Sequence, residues 1–165
     1  MDLILCLPFA LQGTLMLVDE FVYHRRRGLG RWERLGHPLD TLTALVCLVL
    51  AARTEFTSPH LAAFIALGAF SCLFITKDEF VHHRECAAVE SWLHSLLFVV
   101  HPVALLSAAT IWFLRDAPSA ARPALLAGVD VPFAAGVLHA QLALVTAFLL
   151  YQVLYWSFPW AHPSR

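Results

Sequence analysis

Five long apolar runs separated by short polar connections dominate the pattern of this chain. They extend from Leu3 to Val22, Leu39 to Ala52, His60 to Thr76, Trp92 to Leu114 and Phe133 to Phe158. A helix that spans a membrane needs about 20 residues, within a range of about 17 to 25. The second and third runs reach that length only if the polar residues at their ends are included. The pattern predicts an all-α fold, a polytopic membrane bundle of about five transmembrane helices.

The composition supports an apolar environment for these helices. Of the 165 residues, 59% are apolar and 14% are Asp, Glu, Lys or Arg, and the mean hydropathy is +0.69. A soluble domain is closer to half apolar and a quarter charged. The net charge of −1 lacks the excess of positive charge that nucleic-acid binding requires. We therefore expect the lipid bilayer, and not nucleic acid, as a partner of the chain.

The connection between the first and second runs predicts the orientation. It contains five arginines, Arg25, Arg26, Arg27, Arg31 and Arg34. The positive-inside rule makes this connection cytoplasmic, with Arg25, Arg26 and Arg27 solvated and the N-terminus outside. The C-terminus would then be cytoplasmic, and we expect a bacterial inner membrane. Four tryptophans near the ends of the runs are typical of interfacial anchors, namely Trp32, Trp92, Trp156 and Trp160.

A short sequence recurs at the ends of the first and third runs. Residues 19–25 are Asp-Glu-Phe-Val-Tyr-His-Arg and residues 78–84 are Asp-Glu-Phe-Val-His-His-Arg, so six of seven positions are identical. In addition, Glu33-x-x-x-His37 opens the second run and Glu90-x-x-x-His94 opens the fourth. We interpret the chain as a single membrane domain with repeats at about 3–52 and 60–114 and a fifth helix at about 133–158. Both repeats run in the same direction, so an axis along the membrane normal would relate them.

The repeated pairs predict a metal site. Each pair places a carboxylate and an imidazole four residues apart, on one face of a helix, at the expected cytoplasmic end. Such ligands suit iron, manganese or zinc, and their placement is similar to that in four-helix di-iron bundles, where the usual spacing is Glu-x-x-His. We expect two metal ions, with iron preferred. The predicted ligands are Glu20, His24, His37, Glu79, His83, Glu90, His94 and His101.

Other polar residues near these pairs are assigned to supporting positions. A metal-bound histidine usually donates its second N–H to a carboxylate or another acceptor. The residues predicted to orient the ligands in this way are Asp19, Asp78, His82 and Asp40. Cys86 is a weaker ligand candidate, and Glu33 is equally compatible with a solvated position because arginines flank it. The alternative for the repeated pairs is a purely structural role, as ion pairs that hold the helices together.

The chemistry and placement of the cluster resemble those of the membrane-bound di-iron oxygenases and desaturases. Their histidine boxes, H-x-x-x-H and H-x-x-H-H, are absent here, so no residue role is transferred. The resemblance implies an oxygen-dependent oxidoreductase that acts on a lipophilic substrate and receives electrons from a soluble donor. A membrane transporter of metal ions or protons, a metal-handling protein and a structural or assembly subunit are the alternatives. The pattern also leaves a homodimer open.

Overall fold

Five long helices form the part of the chain that the computed structural model describes, residues 1–80 and 86–157 without the side chain of Asp78. Helix α1 covers Asp2–Arg27 and includes a π-helical turn at Asp19–His24. Helix α2 covers Arg31–Arg53, and α3 covers Ser58–Phe74 and continues into a 3₁₀ turn at Ile75–Asp78. Helix α4 covers Ala88–Asp116 and α5 covers Val131–Ser157, with short 3₁₀ turns at Ser119–Ala121 and Ala124–Leu126 between them.

All five helices are long and apolar enough to cross a membrane, which confirms the predicted helical class and number of long helices. The polar ends of the second and third runs belong to their helices, because α2 begins at Arg31 and α3 at Ser58. Large apolar side chains face outward on several helices; for example, Leu3 is 77% exposed and Leu73 is 73% exposed. The outside of the bundle is therefore rich in apolar surface.

Two glycines separate α1 from α2. Gly28 has a φ of +76°, a backbone conformation that residues with a Cβ rarely adopt, and it ends α1. Gly30 precedes α2, and its N–H donates to Glu33 Oε2 at 3.1 Å. This contact satisfies a backbone donor at the start of the helix, as in a capping box. The short connection holds the end of α1 and the start of α2 close together.

Helix α4 packs against each of the other four helices. Among the remaining contacts, α2 packs extensively on α3 and α5, and α1 packs on α5. The main apolar core lies beside the second half of α4, where Ile111, Trp112 and Leu114 are completely buried. Phe56 and Phe64 pack on the ring of Trp112, with centroids 5.1 and 5.8 Å away. One half of the bundle therefore contains a buried, apolar core rich in aromatic side chains.

Polar side chains close the end of the bundle where α2 and α4 terminate. Arg115 Nη1 donates to the carbonyls of Ala51 and Ala52 at 3.0 Å each, so a cation caps the C-terminus of α2. Asp116 Oδ2 accepts the N–H of Phe56 at 2.6 Å. These bonds satisfy backbone groups that the helices leave unpaired at their ends. Imidazole and carboxylate side chains of the predicted site lie at the opposite end of the bundle.

Candidate metal centre

The π-helical turn of α1 brings three side chains of ligand type together. In a π-helix the backbone hydrogen bonds join residues five apart, so Asp19 and His24 come onto one face. His24 Nε2 lies 3.3 Å from Asp19 Oδ2, and His24 Nδ1 lies 3.5 Å from Glu20 Oε2. All three residues are buried. Asp19, which the sequence predicted to orient the ligands, therefore lies on the same face as His24.

The first turns of α4 add a carboxylate and a second imidazole. Glu90 Oε1 lies 4.0 Å from His24 Nε2, and His94 Nε2 lies 2.9 Å from Asp19 Oδ1. Asp19, His24, Glu90 and His94 each offer one ligand atom, and these atoms all lie within 4.8 Å of one another. All four side chains are buried. Residues 75 positions apart in the sequence thus converge on one small volume.

The first turns of α2 supply a second group that shares His24. One ligand atom from each of His24, Glu33 and His37 lies within 4.8 Å of the others. The rings of His24 and His37 are 4.7 Å apart between centroids. Glu33 has no exposed surface, so the solvated alternative considered for it is wrong. Helices α1, α2 and α4 therefore meet around His24.

Arg27 connects the carboxylates of α2 and α4. Its guanidinium donates to both oxygens of Glu33, at 2.7 Å to Oε1 and 3.0 Å to Oε2. Nη2 also donates to Glu90 Oε1 at 3.1 Å. The side chain is 18% exposed. The prediction that Arg27 is solvated and only sets topology is therefore wrong, because the side chain is mostly buried and bound to two carboxylates. Its bidentate pair with Glu33 is a strong and directional interaction.

Helix α5 contributes two donors that the sequence patterns did not predict. Tyr151 Oη and Trp156 Nε1 both donate to Glu20 Oε1 at 3.0 Å. Trp156 is 4% exposed, so the prediction that it anchors an interface is wrong. These bonds occupy one oxygen of Glu20, while Oε2 faces His24. Helix α5 therefore orients the carboxylate of Glu20, the residue that the sequence predicted as a direct metal ligand.

The electrostatics of the group favour a bound cation. Asp19, Glu20, Glu33 and Glu90 bring four carboxylates into buried positions, each at most 7% exposed. Arg27 pairs with two of them, Glu33 and Glu90, and the burial of all four carboxylates makes positive charge beside them favourable. His24 Nε2 is buried and makes no hydrogen bond of acceptable geometry to the described residues. A buried imidazole nitrogen that faces two carboxylates without such a bond is suited to coordinate a metal ion.

A cavity of about 110 Å³ adjoins the cluster, and all five helices line it. Asp19, Glu20, His24 and His94 lie on its lining, together with the apolar side chains of Met16, Leu97, Phe98, Val145 and Phe148. An empty cavity of about 150 Å³ can hold a benzene molecule, so this cavity can accept a small apolar group. The cavity therefore combines an ionisable wall with an apolar wall.

His101 lies on the same cavity but is bound by other side chains. Gln12 Nε2 is 2.9 Å from His101 Nδ1, and His101 Nε2 is 3.0 Å from Ser71 Oγ. Ser71 in turn lies 2.8 Å from Thr43 Oγ1, which donates to the carbonyl of Asp40. Both ring nitrogens of His101 are therefore engaged, and the structure does not place it in either group of ligand-type atoms.

The second copy of the repeated sequence supplies less of this geometry. His82 and His83 lie outside the described residues, and Asp78 is described only as part of the 3₁₀ turn. Glu79 is half-buried and is not among the grouped ligand atoms of the described chain. Asp40, predicted to orient an imidazole, accepts from Lys77 Nζ at 2.6 and 2.7 Å.

Cys86 borders the cluster as a thiol. Its pKa is raised to about 12, first by burial and then by its hydrogen bond to Glu90. It is therefore protonated at neutral pH, whereas a thiol that binds a metal does so as the thiolate. The structure places Cys86 beside Glu90 and outside the two groups of ligand-type atoms.

A non-α turn positions Asp19, the distant helix α5 supplies Tyr151 and Trp156, and Arg27 pairs with Glu33; the sequence patterns did not assign these roles. Asp19 is brought in by the π turn, and its recurrence as Asp78 was the available signal. The arginines that flank Glu33 made a solvated position equally compatible with the sequence, although the repetition of Glu-x-x-x-His indicated a site residue. For Tyr151 and Trp156 the spacing of α5 alone gave no signal. His139 lies outside both groups of ligand-type atoms in the described chain; it is exposed and bonds to the carbonyl of Ala135.

Comparisons of the chain with protein-family models, with curated proteins and with solved structures find no match. The geometry of the cluster is therefore what supports a function. That geometry combines imidazoles, carboxylates and an apolar cavity in one buried volume. A set of nitrogen and oxygen donors of this kind suits iron, manganese or zinc.

Proposed function

We propose that the chain is an integral protein of a bacterial inner membrane, with its N-terminus outside and its C-terminus in the cytoplasm. The length and apolarity of the five helices and their apolar exterior support insertion. Arg25, Arg26 and Arg31 are exposed near the end of the bundle that holds the cluster. The positive-inside rule favours the cytoplasmic side for that end.

We also propose that the first four helices arose by tandem duplication. The packing supports this, because α1 packs on α4 and α2 packs on α3. In the duplication α1 corresponds to α3 and α2 corresponds to α4. The contact of α1 with α4 therefore corresponds to the contact of α3 with α2, as expected for a two-fold axis between the repeats. Helix α5 has no counterpart, and it packs on α1, α2 and α4.

The cluster, in our proposal, is a metal site. Asp19, His24, Glu90 and His94 would bind one ion, and His24, Glu33 and His37 would offer a second position. The observation that carries this assignment is His24 Nε2, a buried imidazole nitrogen without a hydrogen bond in the described chain and within 4.0 Å of two carboxylates. Neutral imidazole and ionised carboxylate are the protonation states that metals bind.

Iron is the metal we propose, with manganese or zinc as alternatives. Two imidazoles and one carboxylate form the donor set of non-haem iron(II) oxygenases, and the four-residue group proposed to bind one ion offers two imidazoles and two carboxylates. The apolar wall of the adjoining cavity supports a lipophilic substrate that is held beside the metal. The proposed function is therefore an oxygen-dependent oxidoreductase that acts on a lipophilic substrate and receives electrons from a soluble donor at the cytoplasmic face.

Metal analysis of the detergent-purified protein tests this proposal. After anaerobic loading with iron(II) and removal of free metal, we expect about one or more iron ions per chain, and a change in the absorption spectrum when oxygen is admitted. His94→Ala should lose the iron, and His139→Ala, a change at an exposed histidine outside the cluster, should retain it. A wild-type protein without metal would overturn the metal site. Bound iron that does not react with oxygen would overturn only the oxidoreductase.

Metal handling or transport is a second candidate, and a row of polar side chains favours it. Gln12, His101, Ser71 and Thr43 continue from the cavity into the bundle. The row does not extend through the bundle, because the core around Ile111 and Trp112 is fully buried and apolar. We rank transport second for this reason. Iron(II) or zinc uptake into proteoliposomes, abolished by His101→Ala and not by His139→Ala, would reverse the ranking.

A further inference from the structure

The guanidinium of Arg27 lies where the two groups of ligand-type side chains meet. It bonds to Glu33, a member of the second group, and to Glu90, a member of the first. Glu33 has no exposed surface and Glu90 is 3% exposed, so both carboxylates need a cation or a proton nearby. Arg27 provides that cation within the chain itself.

Arg27 is bound unequally to the two carboxylates. Arg27 donates to both oxygens of Glu33 but only to Oε1 of Glu90. A carboxylate offers about four lone-pair positions. Glu33 uses three of them, because Oε2 also accepts the N–H of Gly30. Glu90, in contrast, uses one for Arg27 and one for Cys86. Glu33 has its two oxygens engaged by a planar donor that matches the carboxylate in shape. The second position is therefore the one that Arg27 blocks.

We infer that Arg27 occupies the second metal position in place of an ion, so that the centre holds a single ion while the guanidinium is in place. This inference rests on the proposed metal site. The first ion would bind to Asp19, His24, Glu90 and His94, and a second would bind to His24, Glu33 and His37 only after Arg27 leaves. Arg27 is the last residue of α1, one position before Gly28, and is partly exposed, so its side chain has a direct path toward solvent.

Metal stoichiometry in Arg27 variants tests the inference. Each protein is loaded with iron(II), and separately with zinc, at a concentration that saturates the wild type, and is then freed of unbound metal. We expect about one ion per chain in the wild type and about two in Arg27→Gln, which vacates the position but leaves the ligands. Arg27→Lys keeps a cation near Glu33 and should hold about one. Arg26→Gln, a change at an exposed neighbour, is the matched control and should equal the wild type.

A second measurement, of thermal stability, keeps the inference testable if the loss of Arg27 destabilises the protein. Arg27→Gln leaves two buried carboxylates without their cation, so its melting temperature in chelator should be lower than that of the wild type and should rise more on metal addition. The double variant Arg27→Gln with Glu33→Gln removes both partners of the pair and one ligand of the second position. It should fold without metal and hold about one ion.

The outcomes separate this inference from the metal site itself. If no variant and no wild-type sample retains metal, the proposed function fails together with the inference. If the wild type holds about two ions, or if Arg27→Gln holds no more than the wild type, only the inference about Arg27 fails. A double variant that holds about two ions would also overturn it, because Glu33 would then not be a ligand.

Discussion

The two copies of the repeated sequence, residues 19–25 and 78–84, have nearly the same residues, but the described part of the second copy, residues 78–80, differs in its surroundings from the matching part of the first. In the first copy the chain forms a π turn, and Glu20 is 1% exposed and bonded to Tyr151 and Trp156. In the second copy the chain enters through a 3₁₀ turn, and Glu79 is half-buried. The following phenylalanines differ in the same direction, with Phe21 42% and Phe80 80% exposed.

The difference teaches that identical residues in the described parts of the two copies can have different surroundings. Helix α5 packs on α1, α2 and α4, and it supplies the two donors that orient Glu20. Among the described residues of the two copies, α5 donates these side-chain hydrogen bonds to Glu20 of the first copy.

The largest expected effect is on metal binding. His24 is shared by both groups of ligand-type atoms, so His24→Ala should lower bound iron from about one ion per chain to less than about a tenth. Glu79→Gln, in the second copy, should leave the iron content unchanged. Elemental analysis of both purified variants makes the comparison. If Glu79→Gln also removed the metal, the two copies would contribute equally and the asymmetry would be disproved.

A smaller effect is expected on stability. Glu20→Ala removes a buried carboxylate and leaves the Tyr151 and Trp156 donors without their acceptor, which should cost about 3 kcal/mol in the free energy of unfolding. Glu79→Ala should cost less than about 1 kcal/mol, because in the described chain the buried Oε2 of Glu79 accepts no hydrogen bond that the change would remove. Reversible unfolding in mixed detergent micelles measures both values. Equal costs for the two variants would contradict the comparison.

The coupling between α5 and the first copy can be isolated by a double-mutant cycle. Glu20→Gln and Trp156→Phe should show an interaction free energy of about 1–2 kcal/mol, since they share a buried hydrogen bond. Glu79→Gln and Trp156→Phe should be additive within about 0.5 kcal/mol. The same unfolding assay supplies the four stabilities of each cycle. Coupling of similar size in both cycles would mean that α5 supports the second copy as well.

The smallest expected effect comes from making the two copies identical. Tyr23→His converts the first copy into the sequence of the second, and Tyr23 is only half-buried. The free energy of unfolding should change by less than about 0.5 kcal/mol, and the iron content should not change. Unfolding and metal analysis measure these quantities. A loss of metal in this variant would show that the proposed metal binding of the first copy depends on Tyr23 and not on the packing of α5.

Much of the fold was predictable because it depends on local composition. The apolar runs predicted the number and type of the long helices, and the polar residues between the first two runs predicted the connection between α1 and α2. The repeated Glu and His residues also pointed to the end of the bundle where His24 and His94 meet. Spacing within one helix is enough for such predictions, because residues four apart share a face.

What the tertiary structure decided is which of the repeated side chains converge. The π turn moves Asp19 to the face of His24, the pairing with Arg27 buries Glu33, and α5 contacts Glu20 but lies outside the repeat. These features depend on backbone geometry and on contacts between residues far apart in the chain, which helical periodicity does not contain. The sequence alone determined that imidazoles and carboxylates gather at one end of a five-helix bundle. Packing alone decided which of them share a volume small enough for one ion.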